Sequence, residues 1–123
     1  MERDIYEEDH EAFRDLVKDF VKRHVTHEAI EKWDADGEID RETMRAAGEA
    51  GIIGLSVPEE FGGAGLDTLT WLLYERELGR ANYALHWTCV ARPSNILCAG
   101  TPEQRARYLD PCVRGEKWDC LAI

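Results

Sequence analysis

The sequence predicts an all-α protein, an up-and-down bundle of about five to six helices joined by short connections. Three observations carry that reading. Apolar residues recur at three- and four-residue spacing over long stretches, helix start signals precede those stretches, and alternation at a period of two is almost absent.

The first element is predicted over Glu7–Trp33, where Phe13, Leu16, Val17, Phe20, Val21 and Val25 form one stripe and Arg14, Lys18, Asp19, Lys22 and Arg23 fall on the other side. Asp34-Ala35-Asp36-Gly37 ends it, with Gly37 as a left-handed stop. A second helix is predicted over Arg41–Ala50. Asp40 is its cap, because the carboxylate accepts from amides that the first turn leaves unpaired, and Gly51 lies past its end. Ile52-Ile53-Gly54-Leu55-Ser56-Val57 is apolar but short, and Pro58 forbids a continuing helix, so it reads as a buried connector.

Pro58–Gly65 is a loop by composition. Asp67 caps a third helix whose inward stripe is predicted to be Leu69, Leu72, Leu73 and Leu78. Gly79-Arg80-Ala81-Asn82 weakens it, and a further helix covers Tyr83–Ala91 before Arg92-Pro93 interrupts. Asn95–Ala99 gives a turn or two ending at Gly100. Thr101-Pro102-Glu103-Gln104 places a capping hydroxyl, a proline at the first helical position and a glutamine three residues after the cap, so a helix runs from there to Val113 and stops at Gly115. Residues 1–117 are thus assigned to one helical domain and 118–123, Trp118-Asp119-Cys120-Leu121-Ala122-Ile123, to the start of a strand.

The chain has 123 residues, enough for one domain with a core of its own, and 44% hydrophobic against 33% charged residues is the balance of a globular, ordered protein. The uncharged stretch Ala81–Ala91 is too short to span a bilayer, and the acidic start Met1-Glu2-Arg3-Asp4 is unlike a basic targeting peptide. A cytoplasmic, bacterial-type location is the expectation. The net charge is −10, with 16 acids against 8 bases in residues 1–50 and 9 against 7 in residues 51–123. Such a field repels a phosphate backbone, so nucleic acid is not an expected partner.

The chemistry-bearing residues mostly resolve into plainer readings. Gly62, Gly63 and Gly65 lack both the dinucleotide spacing and the lysine of a phosphate loop, and two glutamates precede them, so a tight turn is the reading. Glu7 and His10 make one half of a di-iron motif, but a second Glu-x-x-His is missing. His24, His27, Glu28 and Glu31 share part of a helix face and read as solvated, and no metal site is expected. His86 and Cys89 lack an orienting partner and do not form a nucleophile pair. Cys89, Cys98, Cys112 and Cys120 show no C-x-x-C pair and read as reduced and structural.

In register along the chain, Leu55–Asp67, then Glu75 with Glu77-Leu78-Gly79-Arg80, then Gly100-Thr101-Pro102-Glu103-Gln104 with Arg107-Tyr108-Leu109 and Gly115-Glu116, resemble the N-terminal domain of acyl-CoA dehydrogenases. The resemblance implies an FAD enzyme that dehydrogenates the α,β bond of an acyl-CoA thioester, passes electrons to an electron-transfer flavoprotein or similar acceptor, and works as a homodimer or homotetramer. In that family a Thr-Glu-Pro stretch, a β-domain and a helical bundle bearing the catalytic glutamate follow. No residue of this chain is therefore expected to be catalytic, and the chain alone is not expected to turn over substrate. Leu121, Ala122 and Ile123 map onto the edge of the flavin site, and His86, Trp87, Val90 and Arg92 onto one wall of the acyl pocket. Val90–Asn95 is shorter than the family's usual stretch, and its Arg92 either recognises a polar acyl group or turns to solvent. The rival readings are a flavin oxidase on the same scaffold and a stand-alone helical interaction module.

Overall fold

The computed structural model describes residues 5–90 and 93–120, the side chain of Val90 excepted, and the regular structure within them is all helical, without a strand. Six helices follow one another: α1 (Glu8–His24), α2 (His27–Asp36), α3 (Arg41–Glu49), α4 (Thr68–Ala81), α5 (Tyr83–Val90) and α6. The last is continuous through Pro102–Gln104, a π-helical stretch Arg105–Leu109, and Asp110–Val113. Trp118–Cys120 carry no regular structure, and Leu121–Ile123, the rest of the predicted strand start, lie outside the described residues.

The long first helix is two helices. At Val25 the backbone leaves the helical region, and Thr26 restarts it, its hydroxyl accepting from the Ala29 amide at 3.2 Å. The physical reason is local: Val25 and Thr26 are adjacent β-branched residues with restricted side-chain freedom in a helix, and threonine gains more as a cap than as an interior residue. The other boundaries follow the start and stop residues. Asp40 and Asp67 accept from the Thr43 and Thr70 amides, and Thr101 and Gln104 form a reciprocal capping pair. Gly37, Gly51 and Gly115 take positive φ after α2, α3 and α6.

The π stretch in α6 has a cause in the sequence. Pro111 has no amide to give the Arg107 carbonyl, and its ring would collide with that carbonyl in α geometry. Widening the turn before it, with the Asp110 amide donating five residues back to Arg105, removes the conflict.

α1 lies against α4, and α4 against α5. Val17, Phe20, Trp33, Ile39, Met44, Ala47, the connector residues Ile52, Ile53 and Leu55, then Tyr74, Leu78, Leu85 and Cys89 form one buried cluster. Burial of each large side chain is worth about 1.5–3 kcal/mol. Two stripe assignments are corrected. Leu72 is 56% exposed and Leu16 faces solvent, while Tyr74 and Glu77 take the inward positions on α4. The core face of α4 is centred near Tyr74, and at 100° per residue Leu72 stands on the far side.

Candidate functional site

Asn82 is the joint on which the candidate site is built. Its backbone is extended (φ −158°), which ends α4, and its side-chain carbonyl accepts from the Leu85 amide at 2.9 Å, which starts α5. The predicted weak stretch from Gly79 thus remains helical to Ala81 and breaks at one residue. α5 then presents distinct flanks. Leu85 and Cys89 are buried in the core. Tyr83 and Trp87, one turn apart, are 74% and 54% exposed, so the domain's own packing does not consume them. His86 lies half-buried between these flanks, its ring stacked on Tyr83 with centroids 6.1 Å apart and planes at 25°. It lies beside Gly79, where a β-carbon would make an ordinary contact, 3.7 Å from His86 Cδ2. His86 Nδ1 is buried with no hydrogen-bond partner.

Beyond α5 in the chain, two hydrogen bonds tie three segments together. The Ser94 amide donates to Asp119 Oδ2 at 3.1 Å, and the Ser56 hydroxyl donates to Asn95 Oδ1 at 3.3 Å. The other flank of α5, with Ala84 and Thr88, lines a shallow cavity of about 220 Å³ together with Gly37, Glu38, Ile39, Met44 and Trp118. Of the residues assigned to an acyl wall, Trp87 is exposed on the Tyr83 flank and His86 is half-buried beside Tyr83. The Val90 side chain and Arg92 lie outside the described residues, as do Leu121, Ala122 and Ile123. Tyr83 was missed by the sequence reading, although its spacing of four from Trp87 on an uncharged helix was the available signal.

Cys89 is buried in the core, which disfavours its thiolate. Burial pushes its thiol up to about 12 against the opposing effect of a hydrogen bond with Tyr74, so the reactive thiolate is scarce at neutral pH. Burial also pushes Tyr74 well above the usual phenol range, and its hydroxyl donates to the Ile52 carbonyl. Cys120 departs from the structural reading of the cysteines, since it is exposed.

The glycine loop is a turn that spends its amides on itself. Gly65 and Leu66 donate to the Val57 and Leu55 carbonyls at 2.9 and 3.0 Å, and Gly63 donates to Pro58 at 3.2 Å. A β-carbon on Gly63 would lie 2.0 Å from the Val57 oxygen, so backbone approaches backbone there. The histidines are likewise engaged locally. His24 stacks on Phe20, and His27 stands 3.2 Å from Glu31 on an exposed face. Among the described residues no group of three or more His, Cys, Asp or Glu side chains is placed to hold a metal ion. No helix there is long and apolar enough to cross a membrane.

This arrangement has relatives. The sequence model of the acyl-CoA dehydrogenase N-terminal domain matches residues 7–116, from the cap of α1 to the turn after α6. The chain belongs to the acyl-CoA dehydrogenase family. It is 32% identical to a 3-(aryl)acrylate reductase of Clostridium sporogenes, over 96% of this chain and 32% of that protein. It is 36% identical to a probable acyl-CoA dehydrogenase of Bacillus subtilis, over 83% of this chain and 28% of that one. A solved structure from work on the electron transferring flavoprotein of Acidaminococcus fermentans superposes with a TM-score of 0.73 at 29% identity, covering 94% of this chain and 31% of that one. The chain thus spans about a third of the length of these relatives.

Proposed function

We propose that the chain is the N-terminal helical part of an FAD-dependent acyl-CoA dehydrogenase, which removes hydrogen across the α,β bond of an acyl-CoA thioester. The observation that supports this most directly is the match to the family's N-terminal domain over residues 7–116. Beside it stands the α5 flank of Tyr83 and Trp87, aromatic, exposed and unused by the domain's own core, with His86 half-buried next to Tyr83. An apolar wall of this kind suits an acyl chain, which binds by losing water-exposed apolar surface. His86, Trp87, Val90 and Arg92 are the proposed wall residues, and Leu121, Ala122 and Ile123 the proposed edge of the flavin site.

The positions assigned to the flavin lie outside the described residues. When bound, FAD supplies acceptance of a hydride equivalent from the substrate's β-carbon. This chain's own contribution is placement: α5 is joined to α4 at Asn82, whose side chain starts it, so the wall is held against the acyl group and water is displaced from it. The proton-abstracting base belongs to the rest of the enzyme, whose electrons pass to an electron-transfer flavoprotein in a homodimer or homotetramer.

A second reading, reduction of an aryl-substituted acrylate, is favoured by one observation. Tyr83 and Trp87 offer flat faces on which a ring could stack, and a relative of matching coverage is a 3-(aryl)acrylate reductase. The test is turnover of the intact enzyme with straight-chain and aryl-substituted acyl-CoAs, in wild type and Trp87→Ala. Activity with a dye or electron-transfer flavoprotein as acceptor, with KM raised in the variant, supports dehydrogenation and the wall. Hydrogen peroxide at each turnover points instead to a same-fold oxidase. Absence of acyl-CoA turnover in the intact protein leaves a stand-alone interaction module.

A further inference from the structure

His10 occupies a position that the enzymatic reading leaves unused. It sits in the first turn of α1 with only 13% of its side chain exposed, between its own helix and the head of α4. The Glu7 backbone amide donates to its Nδ1 at 3.0 Å. Its Nε2 stands 3.5 Å from Oδ2 of Asp67, the carboxylate that caps α4 through the Thr70 amide at 2.8 Å. An imidazole nitrogen that accepts an N–H must be unprotonated, so the neutral ring carries its proton on Nε2, turned towards Asp67. One side chain thus serves both helix heads.

We propose that His10 is a proton-operated latch: in its neutral form it holds the Glu7 amide, and on protonation it releases that end and is held instead by the Asp67 carboxylate at the head of α4. The two contacts respond to a proton in opposite ways. Protonation at Nδ1 replaces an acceptor by a donor facing the Glu7 N–H, so that hydrogen bond is lost and the cap amide is left open. The same proton makes the ring a cation beside the Asp67 carboxylate, which draws the ring towards α4. The titratable and charged neighbours are Tyr6, whose ring centroid is 6.3 Å away, the N-cap Glu7, and Glu8, Asp9, Glu11 and Arg14 on α1. Arg14 is paired with Glu11, which leaves Asp67 as the counter-charge contributed by α4.

The test is amide hydrogen exchange of the 123-residue chain by NMR between about pH 8 and about pH 5, expressed as protection relative to the unfolded rate, because the imidazole ring is the ordinary switch in that range. In wild type the protection of the Glu7 amide falls roughly five- to tenfold on acidification, the size of one capping interaction. His10→Gln keeps an acceptor for the Glu7 amide at every pH, as in a capping box, and abolishes the fall. Asp67→Asn removes the counter-charge and moves the release to lower pH. Protection of Glu7 that is flat with pH in wild type overturns the latch. A fall that persists unchanged in His10→Gln assigns the effect to carboxylates and overturns it equally. A release midpoint that stays put in Asp67→Asn overturns the link to α4.

Discussion

Single residues set several of the largest energies in this domain. Asp40 accepts from the Thr43 amide at 2.9 Å, the Thr43 hydroxyl at 3.1 Å and the Trp33 indole N–H at 2.7 Å. Asp40→Ala removes the α3 cap and strands the indole donor of a buried tryptophan, so a loss of about 2–4 kcal/mol is expected in urea unfolding, more than a bare cap is worth. The same carboxylate makes stability pH-dependent. Partial burial raises its pKa, but the bonds from Trp33 and Thr43, with Lys32 nearby, outweigh that and hold it below the ordinary 3.8. A lowered folded-state value means stability is present in full above 3.8 and is lost as pH falls through the lower, folded value. Asp40→Asn is therefore less stable at neutral pH, and its stability falls less steeply on acidification below about pH 4 than that of wild type. Gly115 illustrates the opposite kind of residue. It has φ +68°, and a β-carbon there would lie 2.0 Å from the Met44 carbonyl oxygen. Gly115→Ala is expected to cost about 3 kcal/mol or more, through backbone strain and overpacking together, and thermal unfolding reads it directly.

At the scale of the element, leucines on one helix have unequal weight. Leu78 is wholly buried, so Leu78→Ala is expected to cost about 2–5 kcal/mol through lost burial and the cavity left behind. Leu72, on the opposite side of α4, should tolerate Leu72→Gln within about 0.5 kcal/mol, and equal losses for the two would contradict the assigned face of α4. Caps were legible in the sequence: Asp40, Asp67, Thr101 and the glycines at 37, 51 and 115 stand where their side chains or their missing β-carbons predicted. The restart at Thr26 was not, because the apolar stripe continues across the break and periodicity alone does not register one β-branched pair. The same stripe hid the exposure of Leu16 and Leu72. Hydrophobicity marks which residues can be buried, and only the neighbouring helix decides which are.

For the whole molecule, burial separates side chains of identical chemistry. Cys89 is enclosed, with its thiol held at about 12, while Cys120 is exposed. A thiol reagent applied to the native chain should therefore modify Cys120 within minutes and reach Cys89 only when the fold opens. Rapid labelling of Cys89 without denaturant would show the α4–α5 core to be loosely closed.

The amino-acid sequence by itself determined that the protein is helical, where most helices begin and end, that its glycine loop is a turn, and which family it joins. These properties are local: a cap, a proline or a glycine acts on amides within a few residues, and a stripe is a spacing along one helix. Tertiary structure alone decided that Gly48 and Gly115 let α3 meet the turn after α6 backbone to backbone, a β-carbon on Gly48 falling 2.3 Å from the Arg114 oxygen. It also decided that His10 reaches Asp67 and that Tyr83 and Trp87 remain outside the core. Residues far apart in the chain become neighbours only when the packed bundle fixes which faces meet, and no spacing within one helix contains that information.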